Sequence, residues 1–260
     1  MAGNTLITGA SAGLGAAFAR SLAARGDDLI LTARRGDRLE SLAGELRTAY
    51  GVTVTVIAAD LGVPGGADAL FADIVRRGLR VDTLINNAGF GLQGAFADQD
   101  RAALAGMLDC NCRALVELSH LVLPGMIARR SGGILNVAST AAFQPGPWMA
   151  VYYATKAFVL SFSQALHEEV KPHGIRVAAL CPGPTRTEFA EHAGMADSAL
   201  FARFAGPIDG VVRDGLAALD ANRAVAVSGA LNKGLAFSTR LAPLGMLRRM
   251  AGRLQKGRVR

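Results

Sequence analysis

Three features of this 260-residue sequence predict an α/β architecture: one domain built on a doubly wound parallel sheet of six to seven strands. Short apolar runs alternate with longer helix-period stretches, the pattern of repeated βαβ units. The apolar runs do not alternate strictly with polar residues, as expected of strands covered on both faces. A glycine cluster, Gly9-Ala10-Ser11-Ala12-Gly13-Leu14-Gly15, stands directly between the first apolar run and the first helical stretch.

The elements follow in order. A strand over Asn4–Thr8 leads through the glycine cluster to a helix over Leu14–Ala24. Glycines at this junction permit a tight turn, let backbone approach a phosphate and allow close helix–strand packing. The helix behind them aims its first N–H groups and positive dipole end at the same point. A second strand, Asp28–Ala33, precedes a helix over Arg38–Tyr50; a third, Thr53–Ala58, precedes Gly66–Arg77. The short run Thr83–Asn86 is followed by one long helix, Arg101–Ala128, and Gly133–Ala138 by Val151–Lys171. Ile175–Leu180 makes a sixth strand and Arg223–Ser228 a weaker seventh, with a helix over Ile208–Ala221 between them. In such a sheet a ligand lies beyond the carboxyl ends of the strands, where strand order reverses.

The helix expected over Val151–Lys171 carries Tyr152 and Lys156, and Ser139 lies thirteen residues before the tyrosine. Positions i and i+4 share a helix face. A free tyrosine has a pKa of about 10. A cation held near its phenol favours the phenolate and is expected to lower that value. A serine hydroxyl from a strand end could hold a substrate oxygen. Tyr153 lacks the i+4 relation to Lys156 and is expected to be core or pocket wall. Cys110, Cys112 and Cys181 have no His or acid around them at metal-ligand spacing, so no metal site is expected.

Taken together, Thr8–Gly15, Asp60 after the third strand, Asn86-Asn87-Ala88-Gly89, Ser139 with Tyr152 and Lys156, and Pro182-Gly183 make the chain resemble the short-chain dehydrogenase/reductase family, over residues 4 to about 190. The resemblance implies a Rossmann-type fold and an oxidoreductase. It makes Tyr152 the general acid/base and Ser139 the group that binds the substrate oxygen. Lys156 would bond the nicotinamide ribose and lower the tyrosine pKa. Asn111 would hold a water that relays protons from the lysine, and a kink in its helix would free a backbone carbonyl for that water. At Arg34-Arg35, where an acid would select NAD, an arginine can pair bidentately with a 2′-phosphate. Family members like this prefer NADP(H), with Arg34 the best match. Asp60 and Leu61 would grip the adenine. Asn87, beside Ala88 and Gly89, would either fix the fourth strand or touch the cofactor. Pro182, Gly183 and either Thr185 or Thr187 would meet its carboxamide and phosphates.

A substrate lid is expected over about residues 188–206, rich in Ala and Phe. Phe90, Phe143, Trp148 and Met149 suggest an apolar substrate: a ketone, a steroid-like alcohol or an acyl chain. Related proteins are usually dimers or tetramers, so a homo-oligomer is expected. A non-catalytic dinucleotide-binding regulator is one rival reading, against which the complete Ser139/Tyr152/Lys156/Asn111 set speaks; a peripheral membrane or nucleic-acid binder working through the basic tail is the other. Residues 1–234 form the expected domain and 235–260 a basic amphipathic extension. The net charge of +7 comes from this end, since residues 240–260 hold seven Arg and Lys and no acid. That localisation of charge argues against nucleic-acid binding by the body. The extension could pack on the body, on a second subunit, or weakly on an anionic membrane. The first residues lack a charged segment followed by a long apolar run, so a cytoplasmic location is expected.

Overall fold

The computed structural model describes residues 4–185, 187–189, 193, 206–239 and 241–255, leaving aside the side chains of Leu244 and Leu254. Seven parallel strands form one sheet: β1 (Asn4–Thr8), β2 (Asp28–Ala33), β3 (Val54–Ala58), β4 (Thr83–Asn86), β5 (Gly132–Val137), β6 (Ile175–Cys181) and β7 (Val225–Val227). Their order is β3-β2-β1-β4-β5-β6-β7. The chain therefore winds outward from β1 in one direction, returns, and winds outward in the other. Every expected strand is present, with its ends shifted by at most two residues.

Helices cover both faces, which is why the strands read as apolar without alternation. On one face α1 (Gly13–Ala23), α2 (Gly36–Tyr50) and a later helix, Ile208–Asp220, bury Phe18, Leu22, Leu39, Leu46, Leu216 and Leu219 against the sheet. On the other, α3 (Gly66–Arg76), α5 (Ala114–Arg129) and α6 (Ala150–Val170) bury Leu70, Ile74, Leu118, Met126 and Val170. Local chemistry sets several ends. α2 stops at Gly51, whose φ of 68° suits glycine. α4 (Arg101–Leu108) begins at Asp100, whose carboxylate accepts from the Ala103 N–H at 2.7 Å.

The long helix expected over Arg101–Ala128 is interrupted. Between α4 and α5, Asp109–Arg113 forms a π-helical turn centred on Asn111. The Asn111 side chain supplies a reason. Its amide N–H groups donate to the Phe90 carbonyl at 2.9 Å and to Thr155 Oγ1 at 3.1 Å, and its Oδ1 accepts from the Phe90 N–H at 3.0 Å. A widened turn is a common way to aim one residue off the helix spiral. The chain after β7 forms two more helices, Ala230–Ser238 and Leu244–Gln255, named α8 and α9 with Ile208–Asp220 as α7. The extension expected from residue 235 thus begins inside α8.

A buried polar ladder ties the sheet to α5 and α6. Asn86 Nδ2 donates to Asn136 Oδ1 at 2.9 Å and to Ser119 Oγ at 3.2 Å, and Asn136 Nδ2 donates to Ser163 Oγ at 2.9 Å. Asn136 is wholly buried, so each lost partner leaves a polar group stranded. Asn136→Ala should destabilise the fold by about 1–3 kcal/mol, measured as a lower urea midpoint with unchanged slope.

Candidate active site

A cleft of about 980 Å³ opens over the carboxyl ends of the strands. Its floor is the β1–α1 turn. Gly9 has a φ of 67°, and a Cβ there would come within 2.9 Å of Ala88 Cα. A Cβ on Gly15 would come within 2.3 Å of the Gly9 carbonyl oxygen. Both positions therefore require glycine: Gly9 lines the cleft, while Gly15 is not among the lining residues and lets α1 pack closely against the turn. No side chain caps the start of α1 at Ala12, so its first N–H groups face the cleft with Ser11, Gly13 and Leu14. This is a cradle suited to a pyrophosphate.

Thr8 and Asn87 hold the cradle to its neighbour strand. The Thr8 hydroxyl accepts from the Asn87 and Ala88 N–H groups at 3.0 and 2.9 Å, and Asn87 Nδ2 donates to the Thr8 carbonyl at 2.9 Å. Asn87 lines the cleft while making these bonds, as do Ala88 and Gly89. Thr8 entered the sequence reading only as the first residue of the glycine motif and was given no role there, since a threonine at a strand end carries no distinctive signal of its own.

At the adenosine end, Arg34, Arg35, Asp60 and Leu61 all line the cleft. The two arginines differ. Arg34 is exposed. Arg35 donates to Ser11 Oγ at 3.1 Å and pairs with Glu188 at 3.0 Å, and Glu188 also receives Arg38 at 2.7 Å. The paired guanidinium groups hold the Glu188 carboxyl below its ordinary pKa. Asp60 Oδ1 accepts from the Gly62 N–H at 2.8 Å, an Asx turn that shapes the loop around Leu61.

Pro182, Gly183, Thr185 and Thr187 line the cleft after β6. Thr185 Oγ1 donates to the Gly183 carbonyl at 2.9 Å, and Thr187 Oγ1 lies 3.4 Å from both the Thr185 carbonyl and the Phe189 N–H. Of the lid expected over 188–206, Glu188, Phe189, Ala193 and Gly206 are described; Phe201 and Phe204 lie outside the described residues. The Phe189 ring sits 5.3 Å from that of Tyr152.

Tyr152, Lys156 and Ser139 meet in the middle of the cleft. Ser139 lies two residues beyond β5, its hydroxyl accepting from the Ala141 N–H at 3.1 Å, and lines the cleft together with Tyr152 and Lys156. Lys156 Nζ donates to the Val137 carbonyl at 2.8 Å and lies 5.9 Å from the centre of the Tyr152 ring. Both residues are buried, and burial overturns the expected pKa of the tyrosine. Desolvation pushes the phenol well above its ordinary value, against a smaller pull downward from Ser139. The lysine is pushed down to about 8 by the same cause. In the protein alone the phenol is thus held protonated. Asn111 stands behind this group, its side chain clamping Phe90 and Thr155.

Expected cleft residues Phe90, Phe143 and Met149 are found there, but Trp148 is not among the lining residues. Trp148 takes a φ of 69°, and its carbonyl accepts from the Gly94 N–H at 2.9 Å. The outer wall comes from elements not expected to reach the site: Leu235 and Ala236 of α8, Leu247 and Met250 of α9. Gln255, at the end of α9, hydrogen-bonds the Tyr153 hydroxyl, and its carbonyl accepts from Gln93 Nε2 at 2.9 Å. Tyr153 is therefore pocket wall. Cys110 also reaches the cleft, and burial pushes its thiol up to about 11, away from nucleophilic chemistry.

The chain belongs to the short-chain dehydrogenases: residues 4–197 match the family described as short chain dehydrogenase. A very-long-chain 3-oxoacyl-CoA reductase from Pyrenophora tritici-repentis is 38% identical over 176 residues, 66% of this chain and 52% of that protein. The match thus spans about half the length of that relative. Among solved structures, a short-chain dehydrogenase from Sphingobium yanoikuyae in complex with NADPH is 36% identical. It superposes with a TM-score of 0.83 over 92% of this chain and 93% of that one. The bulky-bulky ketone specific alcohol dehydrogenase from Comamonas testosteroni is 32% identical, with a TM-score of 0.78 over 95% of each chain.

Burial of Lys156 has a measurable sign. Its folded pKa of about 8 lies below the unfolded value of 10.5. Below pH 8 both states carry the proton and the folded state bears the full desolvation cost. Between pH 8 and 10 the unfolded state holds more protons, so stability rises with pH. Relative to Lys156→Met, the wild-type protein should gain roughly 2–3 kcal/mol across that window, read from urea unfolding at each pH.

Proposed function

We propose that the protein is an NADP(H)-dependent oxidoreductase that interconverts a carbonyl and a secondary alcohol on a bulky apolar small molecule. The observation that carries this reading is the convergence of Ser139, Tyr152 and Lys156 in the same cleft as the glycine cradle, with the Lys156 ammonium 5.9 Å from the centre of the Tyr152 ring. The residues present fit a dinucleotide phosphate. Gly9, Gly13 and the uncapped start of α1 accept its pyrophosphate, with Gly15 letting the helix pack close behind them, and Arg34 and Arg35 offer charge to a 2′-phosphate. Asp60 and Leu61 frame the adenine. A Cβ on Gly89 would come within 2.9 Å of Asn111 Oδ1, so glycine lets this loop pack against the Asn111 side chain beside Lys156. Pro182, Gly183, Thr185 and Thr187 complete the far side.

When bound, the cofactor supplies or removes the hydride. The chain's own part is to place the substrate carbonyl and handle one proton. Ser139 holds the substrate oxygen and stabilises charge that develops on it. Tyr152 gives its proton to that oxygen in reduction and accepts one in oxidation. Because burial keeps the phenol protonated, the protein by itself stands ready as an acid. Lys156 places positive charge under the site, and Asn111, at the π-helical turn, continues a proton path behind it. The wall of Phe90, Phe143, Met149, Phe189, Leu247 and Met250 favours apolar bulk. The bulky ketone and very long acyl chain named for two of the similar proteins point the same way, whereas the sulfoacetaldehyde reductases of Chromohalobacter salexigens, 40–42% identical, are named for a small polar substrate. We assign the assembly as a homo-oligomer.

Tyr152→Phe should lower turnover of a bulky ketone by about 10²–10⁴-fold while NADPH still binds with unchanged affinity, a combination that separates catalysis from cofactor binding. In fluorescence titrations, Arg34→Asp with Arg35→Asp should weaken NADPH by about tenfold or more and spare NADH. Wild-type turnover in Tyr152→Phe would remove the catalytic assignment.

A further inference from the structure

The mouth of the cleft lies in an exposed patch that is both apolar and basic. Leu235 and Met250 line the cavity, yet each remains about half exposed, at 52%. On the same two helices and the turn between them Leu231, Phe237, Leu241 and Met246 are also open to solvent, with Leu241 exposed to 75%. Monomeric surfaces seldom gather this much apolar area without a partner.

The helices that carry the patch have a defined inner face, so the outer one is a surplus. α9 buries Leu247, Ala251 and Gln255, at i, i+4 and i+8, against the body. Its opposite face, at i, i+3, i+4 and i+7, is Met246, Arg249, Met250 and Arg253, all exposed. Arg248 flanks this face, and Lys233 on the neighbouring α8 is likewise exposed. None of these cations forms an ion pair with an acid among the described residues. The sequence from 240 to 260 contains no acid at all.

We propose that this patch is a docking surface for an anionic lipid bilayer, seated so that the mouth of the cleft faces the acyl region. The interaction has two parts. Exposed Leu, Phe and Met side chains enter the headgroup–acyl boundary, and the arginines meet anionic headgroups. Charge selects this occupant over a second copy of the chain, because two such patches facing each other would bring like charges together. The surface stands independently of the chemistry in the cleft.

The test is vesicle co-sedimentation of the full chain, without substrate, on phosphatidylcholine alone or mixed with phosphatidylglycerol. The wild-type protein should pellet with the mixed vesicles and stay in solution with the neutral ones. Phe237→Glu with Met246→Glu should lower partitioning by about tenfold or more. Arg249→Gln with Arg253→Gln should do the same and reduce its salt dependence. All four positions are exposed and none lines the cleft, so both variants should melt as wild type does. Failure of the wild-type protein to pellet, or pelleting indifferent to phosphatidylglycerol, would overturn the proposal. So would a Phe237→Glu/Met246→Glu protein that ignores vesicles only because it has passed from a larger assembly to a smaller one in sedimentation velocity.

Discussion

One short set of hydrogen bonds, from the Thr8 hydroxyl to the Asn87 and Ala88 N–H groups and from the Asn87 amide back to Thr8, fixes the rest of the site. It joins the ends of β1 and β4, the two strands between which the winding of the sheet reverses. Parallel strands diverge beyond their last ladder bond, and without this link the glycine turn would have no fixed relation to Gly89. The turn, the tyrosine–lysine pair and the loop after β6 all take their positions from strand ends on either side of that seam. The Asn86–Asn136–Ser163 ladder does the same work one layer down, holding α5 and α6 in register with the sheet.

The centre of the site balances two opposed electrostatic effects. A lysine near a phenol stabilises its anion, while the dry surroundings that hold the pair destabilise both charged forms. Desolvation wins on both residues. Neutral phenol and weakened ammonium are the resting forms that such an interior prefers, and a bound positive ring would move the balance toward the phenolate. The acid and base directions of the chemistry thus call on different charge states of the same pair.

Most of the scaffold was legible in the sequence because it rests on short-range pattern. All seven strands, the glycine turn and the Tyr152–Lys156 spacing depend on residues close together in the chain. What escaped depends on tertiary partners. The apolar period runs on through Asp109–Arg113, so the pattern itself did not announce a widened turn, and the kink expected near Asn111 came only from the family resemblance; the Asn111 side chain bonds Phe90, in a different loop. Spacing revealed the cation beside Tyr152 but could not report how dry the pair would be. The amphipathic character of the last helices was evident, whereas their place beside the substrate cleft was not. An apolar face states that it will be covered without stating by what. Arg35 shows the same limit: its partner Glu188 lies 153 residues away.

Gln255 lies within six residues of the chain's last position and grips the hydroxyl of Tyr153, the immediate neighbour of the tyrosine at the centre of the cleft. The family match ends at 197, well before α8 and α9. Reaction chemistry and the outer wall of the cleft are therefore written in separate stretches of the chain. Variation in the final sixty residues can reshape which molecules fit without disturbing the proton-handling group. Substitutions in α9 carry the converse hazard, because Gln255 reaches the immediate neighbour of the central tyrosine.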